Sequence, residues 1–212
     1  SNGRAQFHNL TSPYDVASIS ASTLIPDDGL NYLSAYNTIN SLKGVAFNYD
    51  GTKMYLNDGT KGTTDVTQVK LSTPFDPSSG TFEYNLNTTS TVGSGTFTMD
   101  LYFDDDGTRM YLLESAKPPG TRFIYVYTFS SGFDIPTATF AGKVQQVFED
   151  VGSDGTNGTP LGMGFSENGM KFYQVTYQSG TEGNRDRVHE YDLFCPYGIV
   201  ICETDDVRSN KY

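Results

Sequence analysis

Apolar and polar residues alternate along this chain in short runs, and the runs break at Gly, Asp, Asn and Pro. A two-residue period puts successive side chains on opposite faces of a strand. Three pairs of runs bracket the same kind of turn. They are Phe47-Asn48-Tyr49-Asp50-Gly51-Thr52-Lys53-Met54-Tyr55-Leu56, Phe103-Asp104-Asp105-Asp106-Gly107-Thr108-Arg109-Met110-Tyr111-Leu112 and Phe165-Ser166-Glu167-Asn168-Gly169-Met170-Lys171-Phe172-Tyr173. Alternation around Asp-Gly or Asn-Gly predicts a β-hairpin, because Gly accepts a positive φ without a Cβ clash. A motif that returns after about 60 residues dictates a repeat architecture. Long amphipathic helical patterns are scarce, and the nearest candidate, 143–149, alternates equally well as a strand.

A third strand follows each hairpin and ends in a Pro- or Gly-centred turn: Val66 to Asp76, Ile124 to Asp134 and Val188 to Gly198. A Thr-rich segment then supplies a fourth strand. A hairpin followed by two more strands is how a β-propeller blade is built. The expected fold is therefore all-β and propeller-like, with about three and a half four-stranded blades. The repeats are placed at 42–91, 97–148 and 160–202. A half repeat at 5–23 has the third and fourth strands but no preceding hairpin. Residues 1–202 form one domain, and 203–212 read as a polar tail or linker. Asp50, Gly51, Asp106, Gly107, Asn168 and Gly169 are expected to shape the hairpin tips. Phe47, Phe103 and Phe165 are expected to pack between blades, which cannot bury their faces alone. Tyr102, Tyr177 and Tyr197 are the aromatics that packing explains least.

The pattern Asp-Gly-Thr-Lys-Met-Tyr at 50–55, followed by a strand and then Leu-Ser-Thr-Pro-Phe-Asp at 71–76, resembles tandem β-propeller repeats of secreted bacterial surface proteins and of phage appendages. The third copy departs most, with Asn-Gly-Met at 168–170 and Cys-Pro-Tyr-Gly at 195–198, as a terminal capping repeat would. The resemblance implies a location outside the cell, on a cell surface, an appendage or a virion.

The formal net charge of −11 argues against nucleic acid as a partner and against a membrane-surface role. No apolar run is long enough for a membrane span. The three acids Asp104, Asp105 and Asp106 could suggest calcium, but the other copies keep the turn chemistry and not the carboxylates. The full Asp-x-Asp-x-Asp-Gly loop ending in Glu is also absent. No cofactor is expected. His8 and His189 share no metal-binding spacing, no Ser sits in a nucleophile elbow, and the Gly-rich run 152–158 lacks the Lys-Ser/Thr of a phosphate cradle. Cys195 and Cys202 flank a turn and suit a small disulfide, worth ~2 kcal/mol for so short a loop.

These observations lead to a non-enzymatic extracellular structural protein. The expected role is a self-associating surface or filament subunit whose incomplete N-terminal blade is completed by another copy. The alternative is a glycan- or receptor-binding adhesion module, using surface glycans as partners and the variable loops 57–65, 114–122 and 176–187.

Overall fold

Each Asp-Gly or Asn-Gly tip folds into a turn that its own side chains tie. In a computed structural model of the chain, the described residues are 6–10, 19–24, 41–59, 64–93, 96–115, 122–146, 159–177 and 187–199, the first two segments as backbone only. At the first tip the Gly51 amide donates to the Asn48 carbonyl (3.0 Å), and the Asn48 amide donates to the Lys53 carbonyl (3.1 Å). Gly51, Gly107 and Gly169 have φ of 70°, 70° and 66°. The turn acid fixes the exit of the loop. Asp50 accepts from the Thr52 amide and hydroxyl at 3.0 and 2.6 Å, and Asp106 accepts from those of Thr108 at 3.0 and 2.7 Å. Asn168 accepts from the Met170 amide (3.1 Å) and from the Ser166 hydroxyl (2.7 Å).

The chain is all-β, with antiparallel sheets and little helix. Strands β1 (Gln6–Leu10) and β2 (Ile19–Leu24) pair with each other. Sheet I runs β3 (Leu42–Phe47), β4 (Lys53–Asp58), β5 (Asp65–Leu71), β6 (Gly80–Asn87). Sheet II repeats that order with β7 (Thr98–Phe103), β8 (Arg109–Glu114), β9 (Phe123–Phe129) and β10 (Ala138–Gln145). Sheet III has β11 (Thr159–Phe165), β12 (Lys171–Tyr177) and β13 (Arg187–Asp192). A single helical turn, Thr89–Val92, follows sheet I.

The register is the same in all three sheets. Phe47 faces Met54, which faces Val69; Phe103 faces Met110, which faces Tyr127; Phe165 faces Phe172, which faces Tyr191. The first strand of each sheet carries a bulge at the same place, beside Gly44, Asp100 and Gly162. A shared register gives each sheet one apolar face in the same position, so the sheets stack in series. Tyr55 and Val66 of sheet I pack into Phe103, Met110, Leu112 and Tyr125 of sheet II. Tyr111, Leu113, Ile124 and Val126, from the other face of sheet II, pack into Phe172 and Tyr197. The sheets meet mainly through their first strands, β3 against β7 and β7 against β11.

A repeated lock ties the sheets together. The Tyr55 hydroxyl donates to the Phe133 carbonyl at 2.6 Å, and the Tyr111 hydroxyl donates to the Tyr197 carbonyl at 2.6 Å. The equivalent Tyr173 lies on a face that no described sheet covers, where Val175 is 39 % and Val188 70 % exposed. Tyr111→Phe leaves a buried carbonyl without its partner, so it should cost about 1–1.5 kcal/mol in urea unfolding. Tyr173→Phe should change stability by less than about 0.5 kcal/mol. Equal losses for the two variants would show that the hydroxyl contributes only within its own sheet.

Candidate functional site

The hairpin tips and first strands of the three sheets enclose a cleft of about 690 Å³. Sheet I supplies Val45, Phe47 and Tyr49, and Tyr49 is 92 % exposed at the rim. Sheet II supplies Asp100 and the run Tyr102 to Asp105, with Phe133 from its later turn. Sheet III supplies Met163 and Glu167. The lining thus combines aromatic rings with four carboxylates, and among the described residues no Lys, Arg or His joins it.

Two of these acids are committed to the backbone. Asp100 accepts from its neighbour Leu101 N at 2.9 Å and from Met163 N, in sheet III, at 2.9 Å. Burial raises its pKa, against the pull of those two amides. Asp104, only 5 % exposed, accepts from Arg109 N (2.9 Å) and from the Thr108 hydroxyl (3.2 Å). Burial is the main cause that pushes its pKa up to about 6, and the neighbouring Asp106 charge adds to it. Asp105 and Glu167 are exposed and also line the cleft. Burial raises the pKa of the Tyr197 phenol, and the hydrogen-bonded Asp105 raises it further.

A second aromatic element holds each tip in place. Phe75, Phe133 and Tyr197 have φ of 58°, 57° and 57°, a conformation that bulky residues rarely adopt. Their amides donate to the carbonyls of Gly51 (2.9 Å), Gly107 (2.9 Å) and Gly169 (2.8 Å). Their rings lie so close that a Cβ on those glycines would come within 2.4, 2.2 and 2.6 Å. The tip that carries the cleft acids is therefore rigidly supported from below.

The residues singled out from sequence fall as follows. Phe103 packs on Tyr55 with centroids 4.5 Å apart, and Phe165 packs on Tyr111 at 4.8 Å, so both bridge sheets. Phe47 packs on Phe75 with ring centroids 5.5 Å apart, within its own sheet, and lines the cleft. Tyr102 and Tyr197 are packing residues after all, each about 5 Å from the Phe165 ring (5.0 and 5.2 Å). Cys195 is disulfide-bonded. The chain's other cysteine, Cys202, lies outside the described residues, as do the His8 side chain, the tail 203–212 and most of the three variable loops. His189 meets the Thr176 hydroxyl at 3.0 Å. Among the described residues no group of three or more His, Cys, Asp or Glu could hold a metal ion.

Asp100 escaped the sequence reading. Its signal was available: the bulge position holds Gly44 and Gly162 in the other repeats, so an acid there is the exception. The cleft itself has no linear signature, because its walls come from three repeats.

No family model and no curated protein matches the chain. Among solved structures, it is similar to a protein titled a putative 6-phosphogluconolactonase from Bacteroides uniformis, at 10 % identity and a TM-score of 0.43, over 72 % of this chain and 41 % of that one. It is similar also to one of the same title from Bacteroides fragilis, at 14 % identity and TM-score 0.43, over 72 % of this chain and 39 % of that one. The chain thus spans about two fifths of either protein's length. Both titles name an enzyme, not a filament subunit or an adhesion module, and the assignment of this chain to either of those roles is withdrawn. At this level of likeness the lactonase activity does not transfer to the chain.

Proposed function

We propose that the sheets are blades of a β-propeller-like fold and that the chain is a ligand-binding module acting through the cleft at the hairpin tips. The four-strand meanders, the common register and the convergence of first strands support the propeller reading. The observation that carries the binding reading is the cleft itself, with a volume in the range of small-molecule sites and a supported aromatic wall. Binding without turnover is favoured because Asp100 and Asp104 are engaged in holding backbone amides. The disulfide at Cys195 supports an oxidising, extracellular setting.

A fragment library screened by ligand-observed NMR tests this. Hits should compete with one another and disappear with Val45→Arg, a substitution at an exposed cleft residue. Hits that persist in that variant, or a library without hits, would overturn the reading.

A further inference from the structure

We infer that the ligand is an organic cation, an amine or guanidinium carrying an apolar flank. The inference rests on the cleft being a binding site and adds the charge of what it takes. Three features converge. First, Asp105 and Glu167 are exposed at the opening, one from sheet II and one from sheet III, so a bound group can meet both carboxylates from solvent. Second, Asp100 and Asp104 lie deeper, and their charges add to the field inside a partly enclosed, apolar-walled space where solvent screens weakly. Third, the ring of Tyr49, 92 % exposed at the rim, is open to a cation, which gains an attraction there that a neutral group of the same shape does not.

Two cations lie nearby, and neither lines the cleft. Lys53 reaches the Phe133 carbonyl (3.1 Å) and Asp134 (3.5 Å). Arg109 reaches the Pro196 carbonyl at 3.4 Å, in a smaller recess that it lines together with Asp104, Asp105, Asp106 and Tyr197, so it offsets part of the Asp104 charge and leaves Glu167 and Asp100 to dominate the cleft. The whole chain is acidic as well, with a formal charge of −11, which favours the approach of a cation over that of an anion.

The test uses three probes of nearly the same shape: phenethylammonium, 2-phenylethanol and phenylacetate, titrated into the full chain at pH 7.5 by calorimetry and by NMR. The ammonium should bind at least about tenfold more tightly than the alcohol, and phenylacetate should bind most weakly. The preference should shrink in 0.5 M salt, where exposed charges are screened. It should also fall in the double variant Asp105→Asn/Glu167→Gln, whose two sites are exposed and leave the backbone contacts of Asp100 and Asp104 in place. If the alcohol binds as tightly as the ammonium, the inference fails and the site reading stands. The inference fails in the same way if neutral fragments occupy the cleft while the ammonium does not bind. If nothing enters the cleft, the site reading itself fails and takes the inference with it.

Discussion

Gly107→Ala is expected to destabilise the fold by about 3 kcal/mol, near the upper end for a single substitution. Two separate penalties combine. Gly107 has φ of 70°, where an L-residue with a Cβ costs about 1 kcal/mol or slightly more. The new Cβ would also lie 2.2 Å from the Phe133 ring. That ring has little room to retreat, since Phe103 stands 5.4 Å and Tyr55 6.3 Å from its centroid. Moving the Phe133 backbone instead would strain the Tyr55 hydrogen bond that joins sheets I and II. Gly107→Ala in a Phe133→Ala background separates the two penalties, because without the ring only the backbone cost of about 1 kcal/mol remains. Urea unfolding followed by circular dichroism gives both values. If Gly107→Ala costs the same with and without the ring, the Phe133 ring swings aside freely and the tip is not clamped.

The aromatic clamp also marks where sequence reading stops. The hairpins were legible because alternation and an Asp-Gly or Asn-Gly tip are both local signals, and the turn depends on few other residues. The antiparallel order of the strands within each sheet could be read from the repeat, since a shared register follows from a shared apolar pattern. That Phe75, Phe133 and Tyr197 take positive φ could not be read. Nothing in an aromatic residue type favours that backbone; it arises because each ring must cover a glycine and each amide must reach that glycine's carbonyl. The cleft was illegible for a related reason. Val45, Asp100 and Met163 are neighbours only once three sheets have stacked. Charge was read as a bulk property of the chain, whereas its local consequence depends on Asp105 and Glu167 meeting at one opening.

Asp104→Asn should stabilise the protein by about 1–2 kcal/mol at pH 8 and leave its stability at pH 4 nearly unchanged. The first tip shows why. There Asn48 fills this position: its Oδ1 accepts from Lys53 N at 2.8 Å, and its Nδ2 donates to the Thr52 hydroxyl at 3.1 Å. That hydroxyl keeps its own proton for Asp50, at 2.6 Å. At the second tip the Thr108 hydroxyl has one proton and two claimants, Asp106 at 2.7 Å and Asp104 at 3.2 Å. An ionised Asp104 cannot donate, so the chain of hydrogen bonds is one link short; an amide supplies that link. The sign of the pH effect follows from burial, which raises the Asp104 pKa to about 6 in the folded protein, while the unfolded chain keeps a value of about 3.9. Below about pH 4 the carboxyl is protonated in both states, and a neutral acid can donate as the Asn does. As pH rises from about 4 to about 6, the unfolded chain ionises first and the folded state loses stability; above about pH 6 the loss is constant. A shift of about two pH units corresponds to ~3 kcal/mol at most, and water at the open side of the tip reduces it. The variant does not titrate, so it escapes this loss. Unfolding midpoints of both proteins across pH 4 to 8 decide the matter. A gain that is the same at every pH, or a loss at pH 8, would mean that the Arg109 guanidinium and amide hold the Asp104 charge better than an amide replaces it.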